Sequence, residues 1–199
     1  MSERILVNGI EHDKYFVQNI SVQDDNQMGK LNFFLRYVKD KKVLHIGFVD
    51  HPITNLNNNL HLNLAPYCAR LDGYDINYKF EKELAVGNGN NYNNWDDVPD
   101  DYDLILVPEV IEHVDNVELF LKQITKKRGT FIITAPDAFM HSNRYMATNQ
   151  HGDALEVVHP DHNCYYSPYT LKNVITKYSE KNIKSLHRIW YHSIAAICE

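Results

Sequence analysis

The strongest constraint on the fold is a pair of apolar runs with no polar face, Tyr102 to Val107 and Thr130-Phe131-Ile132-Ile133-Thr134-Ala135-Pro136. A half-exposed strand alternates apolar and polar residues, whereas a continuous apolar run needs cover on both faces, as in a parallel sheet flanked by helices. Val43-Leu44-His45-Ile46-Gly47 reads as the first core strand, ending in glycine, and Gly73-Tyr74-Asp75-Ile76 as the second, ending in an acid. Helix-spaced apolar sets separate the strands. They are Leu31, Phe34, Leu35 and Val38, then Leu60, Leu64, Cys68 and Leu71, in a helix that Pro66 must kink or shift. Val117, Phe120, Leu121 and Ile124 form a third stripe, with Asp115 as its cap, Glu118 three residues later and Gly129 as its stop. Ser167-Pro168 opens a fourth helix, which buries Leu171, Val174, Ile175 and Tyr178. Strand–helix alternation of this kind predicts an α/β fold.

The ends of the chain break the alternation. Ile183 to Trp190 and Ser193 to Cys198 are too close for a crossover helix, so they are expected to be antiparallel neighbours. Asn8-Gly9, between Ile5-Leu6-Val7 and Ile10, predicts a hairpin, because both residues tolerate the positive φ of a type I′ turn. Asp137 to Tyr166 is a long polar segment, and the Asn-rich tracts 55–59 and 88–94 read as loops. With 199 residues and 44% hydrophobic content, a single domain is expected. The net charge of −6 is scattered, which speaks for solubility and against a nucleic-acid partner. No apolar run of about 20 residues predicts a membrane span, and Met-Ser-Glu-Arg does not open a secretory signal, so a cytoplasmic location is expected. Cys68, Cys164 and Cys198 lack any Cys-x-x-Cys spacing and read as reduced thiols, mostly buried.

Ligands of parallel α/β sheets bind outside the carboxyl ends of the strands. Three such ends carry informative residues: His45-Ile46-Gly47-Phe48-Val49-Asp50-His51, Asp75, and Pro108-Glu109-Val110-Ile111-Glu112-His113. In their order, together with Gly129 to Pro136, they resemble the successive motifs of class I S-adenosylmethionine-dependent methyltransferases, from about residue 41 to the end of the chain. His159-Pro160-Asp161-His162, followed by Tyr165-Tyr166-Ser167-Pro168, is similar to small members that modify sugars and other polar metabolites. The resemblance implies a Rossmann-like sheet of seven strands, mostly parallel, with an antiparallel C-terminal hairpin and helices on both faces. Residues 1–199 would form one domain, with 41–199 as the core and the hairpin and helix of 1–40 as part of an acceptor lid.

The resemblance also implies roles. S-adenosylmethionine would lie on His45, Gly47, Phe48 and Val49, with Gly47 leaving room for its methionyl part. Asp75 would accept from the ribose hydroxyls, with Ile76 beside it; Asn94, Trp95 and Asp96 fall where adenine contacts arise, and Pro108 and Glu109 complete the set. Two residues depart from the pattern: His45 stands in place of the usual acid, and Val49 in place of the second glycine.

Glu109, Glu112 and His113 are spaced i, i+3, i+4, which puts them on one face if a helix starts there. His113 is then a candidate base, with His159 and His162 next in line, for an acceptor hydroxyl. The Glu-x-x-Glu-His sequence is also similar to one that binds a divalent ion in some RNA and quinone methyltransferases, which implies a metal on Glu109, Glu112 and His113, joined by a histidine of the 141–162 loop. A third reading has Glu109 supporting the cofactor, Glu112 capping or facing solvent, and His113 packing. Of His141, His151, His159 and His162, at least one is a candidate for the site. The expected reaction is methyl transfer to oxygen, ahead of nitrogen, of a small polar acceptor such as a sugar or glycan precursor. The rival is a cofactor-binding or scaffolding protein without catalysis, motivated by His45 and Val49; a nicotinamide oxidoreductase is disfavoured because no Gly-x-Gly-x-x-Gly follows the first strand.

Overall fold

The computed structural model describes residues 3–50, 55–77, 82–139 and 146–199. In chain order its main elements are β1 (Arg4–Val7), β2 (Ile10–Asp13), β3 (Gln23–Asp25), α1 (Lys30–Val38), β4 (Lys42–Ile46), α2 (Leu60–Leu64), β5 (Arg70–Tyr74) and β6 (Asn91–Tyr92). They continue with β7 (Asp101–Pro108), α3 (Val117–Ile124), β8 (Arg128–Pro136), β9 (Met146–Thr148), β10 (Ala154–Glu156), α4 (Pro168–Tyr178), β11 (Ile183–Ile189) and β12 (Ser193–Cys198). The main sheet has the order β3-β11-β12-β8-β7-β4-β5-β6. β6, β5, β4, β7 and β8 run parallel, and β12 pairs antiparallel with both β8 and β11. The α/β fold, its mostly parallel sheet and the antiparallel C-terminal hairpin are therefore as expected.

The apolar runs sit where a doubly covered sheet requires them. Leu44, Ile46, Ile105, Val107, Phe131 and Ile133 face Leu121 and Ile124 of α3 and Leu171 and Ile175 of α4. Val43, Leu104, Leu106 and Ile132 point the other way, onto Phe33, Phe34 and Val38 of α1 and Leu64 of α2. Successive strand residues alternate between faces, and both faces are apolar.

Among the described residues the sheet has eight strands rather than seven. The extra one is β3, parallel to β11, and its polar Gln-Asp-Asp sequence has no apolar alternation to betray it. Its anchor is electrostatic: the Asp25 carboxylate lies 2.7 Å from Nδ1 of the buried His187. Other differences are local. Proline lacks the N–H that α2 would need to continue, so the helix gives way to a 3-10 turn, Ala65–Tyr67. Cys68 and Leu71 thus lie beyond it, Leu71 within β5. The cap of α3 is Asn116, whose Oδ1 accepts from the Leu119 N–H at 3.0 Å, not Asp115. Gly129 belongs to β8 at φ 138, where a Cβ would lie 2.7 Å from the Tyr102 carbonyl oxygen, and α3 ends before it. Within the polar segment, β9 and β10 form a small antiparallel ribbon.

The N-terminal hairpin forms as expected, with Asn8 at φ 50 and Gly9 at φ 80. Ser167 caps α4 in a reciprocal capping box with Thr170. The three cysteines are free; burial pushes the Cys68 thiol up to about 11 and the Cys198 thiol up to about 12. Among the described residues no helix is long and apolar enough to cross a membrane.

One feature of the core makes stability depend on pH. His61, fully buried in α2, has its pKa pushed down from 6.5 to about 4 by burial, which outweighs the attraction of Asp72. Below pH 6.5 the unfolded chain gains a proton that the folded protein refuses until about pH 4. Stability should therefore fall across that window, by up to about 3 kcal/mol from this residue. Urea midpoints of wild type and His61→Leu, measured from pH 7 to 4, should diverge from a shallow slope in the variant to a steep one in the wild type. Parallel slopes would remove the assignment.

Candidate active site

The carboxyl ends of β4, β5, β7 and β8 open into a cavity of about 630 Å³. Three residues at these ends adopt left-handed backbone: Gly47 (φ 77), Asp50 (φ 55) and Glu109 (φ 54). The Gly47 N–H donates to the Tyr74 carbonyl at 2.8 Å. A Cβ at Gly47 would lie 2.3 Å from Cγ2 of Val110, so glycine is needed here for the turns after β4 and β7 to pack together, besides any approach of a ligand. Asp75 follows β5 and accepts the N–H of Val49 (3.0 Å) and of Asn77 (2.8 Å). Burial raises its pKa against those two bonds. Ile76, 85% exposed, stands beside it on the cavity rim.

His45 is buried at the cavity floor, and its Nδ1 has no hydrogen-bond partner among the described residues. Burial, then the neighbouring His61, holds its pKa well below 6.5, so it is neutral. Phe48 packs on the His61 ring at 4.8 Å, and its carbonyl accepts from Asn59 Nδ2 at 3.0 Å. Asn94, Trp95 and Asp96 are not at the cavity lining. Trp95 instead sits edge-on to Tyr74 (4.9 Å) and beneath the Lys127 ammonium (5.0 Å).

The 109–113 segment is a turn rather than the start of a helix: the His113 N–H bonds to the Val110 carbonyl, and α3 begins only at Val117. The three residues expected on one face therefore separate. Glu109 donates its N–H to Thr134, and its carboxylate accepts from Lys30 Nζ (2.7 Å) and Ser193 Oγ (2.5 Å). Lys30 is held above the usual lysine range: burial opposes its charge, but Glu109, with Asp50 and Glu112 behind it, outweighs burial. Lys30, Thr134 and Ser193 gave no sequence signal, since they come from α1, β8 and β12 and meet Glu109 only in the fold. Glu112 is 1% exposed, and burial followed by the charge of Glu109 raises its pKa to about 8.

His113 joins His159 and His162 instead. Their ligand-capable atoms lie within 4.8 Å of one another, and the rings of His113 and His162 are 4.6 Å apart. Burial, then His159, lowers the pKa of His113. Asn163 ties the two segments together: its N–H bonds to the Glu112 carbonyl (2.9 Å) and its Nδ2 to the His113 carbonyl (2.8 Å). His151 lies at an exposed turn beside Gln150, away from this cluster, while His51 and His141 lie outside the described residues.

A family model described as a methyltransferase domain matches residues 34–180. Comparison with curated protein sequences gives no significant match. Among solved structures, the chain is similar to an S-adenosylmethionine-dependent methyltransferase from Aquifex aeolicus, with TM-score 0.62 and 12% identity over 86% of this chain and 90% of that one. It is also similar to one from Mesorhizobium loti, with TM-score 0.57 and 12% identity over 84% and 94% of the respective chains. The DhpI–SAH complex is a third, with TM-score 0.50 and 16% identity over 79% and 76%. At these identities the likeness is one of fold.

The contact of Gly47 with Val110 can be tested by itself. Gly47→Ala should destabilise the protein by about 2–5 kcal/mol, from left-handed strain and steric overlap combined. Adding Val110→Ala should recover the overlap and leave the strain. Chemical denaturation of the two single variants and the double variant checks this, and simple additivity would show that the two turns do not meet.

Proposed function

We propose that this chain, which belongs to the class I S-adenosylmethionine-dependent methyltransferases, transfers a methyl group to an oxygen of a small polar acceptor such as a sugar or glycan precursor. The observation that supports the reading is that one cavity is lined both by Gly47, Asp75 and the turn after β4, where we put the cofactor end, and by His113, His159 and His162, where we put the acceptor end. When bound, S-adenosylmethionine supplies a methyl group already activated on a sulfonium, so the protein has to orient the acceptor and deal with one proton.

The residues present fit that cofactor. Asp75 offers a carboxylate at the end of β5, where dinucleotide folds hold ribose hydroxyls. Ile76 gives an apolar rim beside it, and the neutral His45 leaves a buried nitrogen without a hydrogen-bond partner among the described residues. Pro108 and Glu109 border the cavity, and Lys30 and Glu109 present opposite charges to it, which suits a zwitterionic amino-acid group. Lys30 opens α1, so the 1–40 segment contributes directly to the cavity wall, in keeping with a lid.

At the acceptor end, a neutral imidazole has a lone pair available, either to take the proton of an acceptor hydroxyl or to hold an ion that would acidify that hydroxyl. The lowered pKa of His113 favours that neutral form. His159 and His162 belong to the same cluster and share the role.

Two variants separate the two ends of the cavity. Asp75→Ala should weaken S-adenosylhomocysteine binding by about 10–100-fold, the worth of one lost bond to a charged group, read by calorimetry. His113→Asn should leave that affinity unchanged and lower kcat by about 100-fold or more, with methylated sugar product followed by mass spectrometry. Intact S-adenosylhomocysteine binding with no turnover on any polar acceptor would favour the non-catalytic alternative.

A further inference from the structure

We propose that His113, His159 and His162 form a binding site for one divalent transition-metal ion of the Zn²⁺ or Co²⁺ class, open on its fourth side to the cavity. The proposal rests on the functional reading above only for its consequence, since the site itself is defined by geometry.

Three observations carry it. The first is the donor set: imidazole nitrogens suit zinc, cobalt, nickel, copper and iron, whereas Mg²⁺ and Ca²⁺ prefer oxygen. The three residues lie within 4.8 Å of one another, counted between ligand atoms, and they come from two different segments. A tetrahedral ion at 2.0–2.1 Å would hold nitrogens about 3.4 Å apart, a gap that small side-chain rotations close.

The second is the support behind the rings. The His159–His162 turn is closed by the His162 N–H on the His159 carbonyl (3.1 Å). Asn163 fastens that turn to the His113 carbonyl and the Glu112 carbonyl. A cluster held from behind in this way has its backbone placed before any ion arrives.

The third is Glu112. Its side chain is 1% exposed, borders the same cavity, and makes no hydrogen bond to another side chain among the described residues. The nearest histidine nitrogen is Nε2 of His162, at 4.0 Å from Oε1. A carboxyl group buried without a side-chain hydrogen bond is costly, and an ion on the three histidines would lie beside it as a polar neighbour. Glu109 is not part of this set, because Lys30 and Ser193 already hold its carboxylate. The site therefore differs from a pair of acids with one histidine, both in its residues and in the class of ion it selects.

The open fourth position faces the space assigned to the acceptor. A hydroxyl bound there would lose its proton to water more readily, as zinc-bound water does with a pKa lowered to about 7. The oxygen's electron pair would then form the O–C bond as the C–S bond breaks and its pair stays on sulfur.

The test uses the full chain, stripped with a chelator and titrated with Co²⁺. One equivalent should bind and develop the intense visible absorption of a tetrahedral complex, and Zn²⁺ should displace it. His159→Ala and His162→Ala should each weaken Co²⁺ binding by more than about 10–100-fold, the loss typical of a supporting residue alone. His151→Ala, outside the cluster, should leave it unchanged. No Co²⁺ binding, or binding indifferent to His159 and His162, would overturn the proposal. Circular dichroism of each variant distinguishes loss of the site from loss of the fold. Methyl transfer that survives complete chelation would remove the ion from catalysis while leaving the proposed function standing; failure to bind S-adenosylhomocysteine beside an intact Co²⁺ site would do the reverse.

Discussion

Two strand-end turns pressed against each other, one at Gly47 and one at Val110, set the geometry on which the site depends. β4 and β7 are adjacent parallel strands, so their carboxyl ends emerge side by side and the chains must turn away within a few residues. The first turn does so through the left-handed Gly47, whose missing Cβ makes room for Val110. The second does so at Glu109, a non-glycine residue at φ 54. A left-handed non-glycine residue costs about 1–3 kcal/mol and persists only where its surroundings hold it. Here Thr134 takes its N–H while Lys30 and Ser193 take its carboxylate, so α1, β8 and β12 jointly fix one residue. With Glu109 turned that way, the following turn directs Glu112 inward and brings His113 to the histidine loop.

That loop is fixed from its far side as well. The Ala138 N–H bonds to the Tyr166 carbonyl at 2.7 Å, the Asp137 N–H to the His192 carbonyl at 2.8 Å, and the buried Asp137 carboxylate accepts from Arg188 Nε at 3.0 Å. The chain enters and leaves the 137–166 excursion at one place, beside the turn between β11 and β12. A long loop closed at its base can vary along its length while its root stays in register with the sheet. His159 and His162 lie close to that root in sequence and are tied to Glu112 and His113 by Asn163, which is why they meet His113.

The legible parts of the chain were those whose signal is periodic or a local cap. Apolar runs announced β7 and β8, and Ser167-Pro168 announced α4, because doubly covered strands and N-caps leave residue-level marks. β3 and β6 left none: each is two or three polar residues long and owes its place to neighbours such as His187 and Gly73. The break at Pro66 was legible as a perturbation but not as an end, since a proline can either kink or terminate a helix. In the site, the residue types at the strand ends were readable and their directions were not. The i, i+3, i+4 spacing of Glu109, Glu112 and His113 has meaning only on a helix, and a left-handed residue at 109 replaces that helix with a turn. Lys30 and Ser193, far away in sequence, could be placed only by the packing of α1 and β12 against the sheet.

The departures at positions 45 and 49 take on a physical sense in this setting. Val49 is not in the left-handed region, so the turn does not require glycine there, and its N–H is held by Asp75. The change is one of residue rather than of backbone shape. Position 45 differs in kind, because a carboxylate there would be buried against His61, whose ring centroid is 5.4 Å from that of His45, and would need a counter-charge. Neutral histidine avoids that cost and leaves the end of β4 uncharged. Across the sheet, the Glu109 carboxylate borders the same cavity and is matched by Lys30 of the N-terminal helix. Loosening of α1 would free Glu109 from its Lys30 partner, so α1 and the end of β7 are electrostatically one unit.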